Sequence, residues 1–151
     1  MAAPSSPVDS TTLQTVGVFA DLSAARKAVD VLLTTHGFSA AILSVIGKDA
    51  AELAEWASGL CGTSRSVTAA DGSVLRVAGP LVGSAGLPEG VDGLMRGVGF
   101  QAHDGRIFAR LVERGGVLVA VSSDARAADA MAVMHAYGGG NAAIGAWRGR
   151  A

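Results

Sequence analysis

Residues 13–47 read LQTVGVFADLSAARKAVDVLLTTHGFSAAILSVIG, and the way this stretch divides decides the fold. Leu13 to Ala20 is an apolar, β-rich run, and Ser23 stands where an N-cap would accept backbone N–H bonds. Ala25, Ala28, Val29 and Leu32 then fall at i, i+3, i+4 and i+7, one face of a helix expected over residues 24–36. Gly37 can end it as a left-handed cap, and residues 38–47, FSAAILSVIG, read as a second strand.

The same order returns near the C-terminus. Residues 116–122, GVLVAVS, form a buried-strand run, and Asp124 can cap the next helix. Ala127, Ala130, Met131 and Met134 repeat the apolar spacing, Gly138 to Gly140 stop it, and residues 141–147 offer a last strand. Two β-α-β units, at 13–47 and 116–147, predict an α+β fold: a ferredoxin-like βαβ-βαβ sandwich with both helices on one face of a four-stranded sheet. The expected organisation is a disordered tail over residues 1–12, one domain over 13–147 and a short C-terminal tail over 148–151.

Between the halves lies an insertion, residues 48–115, too long for a structureless connection. Asp49 with Glu52 resembles a capping box ahead of a helix whose apolar stripe is Leu53, Trp56, Ala57 and Leu60. Asp71-Gly72 sits between two β-compatible arms, a strong hairpin signal. Residues 106–114, RIFARLVER, predict a second helix with Ile107, Phe108 and Leu111 as its apolar side, Asp104 as its cap and Gly115 as its stop. The insertion is therefore read as helix, β-hairpin, helix.

At 151 residues the chain can bury one proper core. Half its residues are apolar but only 5% are aromatic, and 21 are glycine, so close backbone approach must replace bulky anchors. Twelve basic residues against thirteen acidic ones give a net charge of −1, with no basic stripe for nucleic acid. The start, MAAPSSPVDSTT, carries no secretory signal, no window is apolar enough to span a membrane, and Cys61 is the only cysteine. A cytoplasmic protein is expected.

Few residues offer chemistry. Gly97, Gly99 and Ala102 match the G-x-G-x-x-G/A spacing, and Asp124 follows at about the distance of a ribose-binding acid. A dinucleotide site also needs a strand leading into those glycines, and the preceding VDGLMR is a poor one. No cofactor is expected, and a nucleotide or small ligand at Gly97 to Ala102 and Ser122 to Asp124 is the alternative reading. His36, His103 and His135 show no metal-ligand spacing, so no metal is expected. Cys61 lacks a partner base, and Met131 and Met134 read as core fillers. The aromatic residues Trp56, Trp147 and Phe108 are the candidate interface anchors.

VGVFADLSAARKAVDVLLTTHGF, GLPEGVDGLM, RIFARLVERGGVLVAVSSDARAADAMAVM and AAIGAW together resemble the bacterial heat-induced general stress protein domain. Gly86-Leu87-Pro88 resembles that family's glycine-rich turn, and Gly115 to Val119 its helix-to-strand junction. The resemblance implies a ferredoxin-like domain with a glycine-rich insert and carries no catalytic mechanism. It places Phe108 where an aromatic usually stands, without a phenolic hydroxyl. Strands as apolar as these cannot leave their second face wet, so the insertion, a second subunit or both should cover it. The expectation is a noncatalytic, stress-related or regulatory module, not an enzyme, that self-associates as a homo-oligomer or binds a protein complex.

Overall fold

The computed structural model describes residues 13–62, 64–68, 72–81, 90–98, 100–123, 126–138 and 143–146. Both tails, Asp71, Gly86 to Pro88, Gly99, Asp124 and Trp147 lie outside them. The fold is mixed α+β. In chain order it runs β1 (Leu13–Phe19), α1 (Leu22–Thr34), a 3-10 turn (Ala40–Ile42), β2 (Leu43–Lys48), α2 (Ala51–Cys61), β3 (Arg65–Thr68) and β4 (Val74–Ala78). It continues with α3 (Gly90–Val98), α4 (Ala102–Glu113), β5 (Val117–Ser122), α5 (Ala127–Ala136) and β6 (Ala143–Ala146).

All six strands join one antiparallel sheet in the order β3-β4-β2-β5-β1-β6. β5 lies between β1 and β2, with Val16 opposite Ala120 and Val45 opposite Val119. β1 and β2 are therefore parallel to each other, and so are β5 and β6 on either side of β1. The hairpin β3–β4 extends the sheet beyond β2.

Strand periodicity sorts the side chains into two cores. Phe19, Leu43, Val45, Val117, Val119 and Val121 face α1, α2 and α5. Val16, Val18, Ile46, Leu118 and Ala120 face the opposite way and meet Val91 and Met95 of α3 and Phe108 and Val112 of α4. The second face is thus covered from within the chain by residues 90–113, the later part of the insertion. Phe100 and Phe108 meet edge to face at 5.4 Å in that layer.

Several local expectations are corrected. Asp21, not Ser23, caps α1: its Oδ1 accepts the Ala24 amide at 2.9 Å, and the helix starts earlier than residue 24. The second strand begins at Leu43, because Ser39 caps a 3-10 turn first. Asp49 forms no capping box; its carboxylate accepts from Ser66 Oγ and Arg76 Nε, both at 3.0 Å, and α2 starts without a side-chain cap. α3 is a helix where no regular element was expected, so the insertion carries three helices and a hairpin. α4 begins at Ala102, which leaves Asp104 in its first turn instead of at its cap.

The exit from α4 follows its glycines. The Gly116 amide bonds Leu111 O and the Gly115 amide bonds Val112 O, both at 3.0 Å, with Gly115 at φ +101°. This is a Schellman closure, which needs a left-handed residue after the cap. Gly116 is then wedged in: a Cβ there would stand 2.8 Å from both Leu111 O and Val18 Cγ1.

Candidate interaction site

Two surface features of different make stand on opposite faces of the sheet. The first is a groove of about 750 Å³ between α1 and α2. Its apolar lining includes Val29, Leu33, Trp56 and Leu60. Trp56 is half-buried, packed at the edge of the core beneath α1 and α2. The α2 wall carries Glu52 and Glu55 and the α1 wall carries Arg26, Lys27 and Asp30. None of these five forms an ion pair among the described residues. Gly59 leaves the α2 side open, since nothing lies within 4 Å of a Cβ placed there.

The second feature is the outer side of α4. At about 100° per residue, Gly105, Phe108, Ala109 and Val112 point to the sheet, and Gly105, Phe108 and Val112 are buried. Ile107 and Leu111, expected on that inner side, are instead each 37% exposed. They stand beside His103, Arg106, Arg110 and Arg114, around a shallow depression of about 300 Å³. The three arginines recur every four residues, so they form one row along the helix. None makes an ion pair among the described residues.

The candidate residues of the sequence fare differently. Phe108, expected at an interface, is 4% exposed and belongs to the core, because it points at the sheet and stacks on Phe100. Trp56 does line a groove. Trp147 and Asp124 lie outside the described residues. Gly97 is an exposed residue of α3 and Ala102 opens α4, so this stretch joins helix to helix. The dinucleotide fingerprint instead needs a strand ahead of its glycines and a parallel sheet. Ser123 Oγ accepts the Arg126 amide at 3.2 Å, a turn ahead of α5.

His103 and His135 are exposed and His36 half-buried, and among the described residues no three His, Cys, Asp or Glu side chains group as a metal site. Burial pushes the Cys61 thiol up from its ordinary value, which disfavours the thiolate, and its Sγ lies 3.6 Å from Leu43 O. Met134 is fully buried. No described helix is long and apolar enough to cross a membrane. Comparison with known proteins gives no match, whether to a family model, a curated protein or a solved structure.

The residues missed in the sequence are the outer ones of α4. Their signal was legible as Arg106, Arg110 and Arg114 at spacing four. It was masked by assigning Ile107 and Leu111 to the buried side.

Proposed function

We propose that this chain is a noncatalytic, stress-related or regulatory interaction module of the cytoplasm, built on a ferredoxin-like domain and acting through self-association or a protein complex. The ferredoxin-like reading is supported by the order β6-β1-β5-β2 of the two β-α-β units, with α1 and α5 sharing one face. The likeness to the general stress protein domain is supported by the glycine-closed passage from α4 into β5. The observation that carries the interaction reading is the exposed pair Ile107 and Leu111 set among three arginines. Apolar side chains on a helix face rimmed by charge suit a helix-in-groove or helix-on-helix contact.

The test combines light scattering of the purified chain with cross-linking in its native cells, for example through a photoreactive residue at Leu111. Oligomers, or a specific cross-linked protein lost in Ile107→Lys, are the expected outcome. A monodisperse monomer with no cross-linked partner would overturn the reading.

A further inference from the structure

The row on α4 and the groove between α1 and α2 complement each other, and they sit on opposite faces of the same sheet. The row offers Ile107 and Leu111 about 6 Å apart, one turn along the helix, with Arg106, Arg110 and Arg114 along them. The groove offers an apolar floor containing Trp56 and a wall bearing Glu52 and Glu55. Those carboxylates stand three residues apart on α2, about one helical turn, so two arginines one turn apart can each pair with one of them. Trp56 adds an aromatic face, which an arginine plane can stack upon.

We infer that α4 of one copy docks into the α1–α2 groove of a second copy, so that the protein assembles head to tail; this rests on the interaction reading above and names its partner as the chain itself. Charge sets the orientation of the docked helix. On the α1 wall Arg26 and Lys27 outnumber Asp30 and leave it net positive, while the α2 wall bears Glu52 and Glu55 alone, so the arginine row is drawn to the α2 side. A net charge of −1 leaves no general repulsion between copies. Because the two surfaces differ and face opposite ways, each docking leaves one row and one groove unfilled. Such heterologous contacts propagate as a ring or an open chain and do not stop at a two-fold dimer.

Two exposed substitutions isolate the two halves of the contact. Leu111→Lys removes an apolar anchor from the row, and Gly59→Lys fills the groove and repels arginines, at a position with open space for the new side chain. Circular dichroism checks that both variants fold. In sedimentation velocity from about 10 μM to about 1 mM, a range covering weak self-association, the native chain should grow past a dimer with concentration. It should shrink back as salt is raised, since exposed ion pairs are screened. Each variant alone should stay monomeric, and an equimolar mixture should form dimers and nothing larger, because only one productive row and one productive groove remain.

Growth of the native chain that persists in either folded variant overturns the inference. So does a closed two-fold dimer, or a mixture that remains monomeric. A native monomer at every concentration overturns it too, and the interaction reading then stands or falls separately on whether the native cells yield a specific cross-linked partner.

Discussion

The two faces of the sheet are buried by different means. On one face α1 and α5 lie where the chain crosses from strand to strand, and Ala25, Ala28 and Ala130 are fully buried between helix and sheet. On the other face α3 and α4 arrive from the insertion and are joined through larger groups: Met95, Phe100 and Phe108. The four phenylalanines divide evenly, Phe19 and Phe38 on the first face, Phe100 and Phe108 on the second. On the first face alanines let the helices approach the sheet closely. In the second layer two aromatic rings meet, Phe100 against Phe108 edge to face, and they tie the loop ahead of α4 to the helix itself.

That contrast breaks most readily at Phe108. Phe108→Ala should cost about 3–5 kcal/mol, and Leu32→Ala on the other face about 2–5 kcal/mol, in chemical denaturation. If the faces form one cooperative unit, both variants lower the protection of α1 amides against hydrogen exchange in proportion to the lost stability. Loss of protection confined to α3 and α4 in Phe108→Ala would show instead that the second layer opens by itself.

A smaller effect separates two helical glycines. Gly105 lies where α4 crosses α3, and a Cβ there would stand 2.6 Å from Asp92 Oδ1 and 3.1 Å from Asp92 O. Gly105→Ala should therefore destabilise by about 1–3 kcal/mol, the range for overpacking, despite the helix propensity it gains. Gly97→Ala meets nothing within 4 Å and should stabilise by up to about 1 kcal/mol. Thermal melts of the pair decide this: equal shifts would mean that α3 and α4 are not closely packed at Gly105.

The smallest effect lies at the sheet's far end. The hydrogen bonds from Ser66 Oγ and then Arg76 Nε hold the Asp49 carboxyl below its ordinary value of 3.8. A carboxyl whose pKa is lower folded than unfolded stabilises above the unfolded value, and that contribution disappears as pH falls through the folded one. The link between β2 and the β3–β4 hairpin should therefore loosen only below about pH 4. Amide exchange of β3 should show this, and Asp49→Asn should abolish the pH dependence. A β3 that loosens with acid equally in Asp49→Asn would remove Asp49 from the account.

The first face was legible in the sequence because each element there follows one periodicity. Ala25, Ala28, Val29 and Leu32 are all buried in α1, as their spacing required. The second face was harder to read. α3 carries Gly90, Gly93 and Gly97, so propensity argues against a helix although Val91, Met95 and Val98 have helical spacing. In α4 three apolar residues in a short span, Ile107, Phe108 and Leu111, could not all point inward; only the sheet decides that Phe108 and Val112 do. The Asp49 carboxylate went to Ser66 and Arg76 because the hairpin folds back over it, a contact between residues far apart in sequence. For the site, Trp56 was legible as an aromatic on an extra helix. The groove around it was not, since it needs α1 and α2 side by side.

The placement of β5 has a consequence for synthesis. β1 and β2 do not pair with each other; each pairs with β5, which begins only at Val117. At roughly 5–20 residues per second the ribosome takes many seconds to reach it. Until then β1 has no partner strand and β2 has only β4, so the apolar centre of the sheet stays open until the last third of the chain is being made.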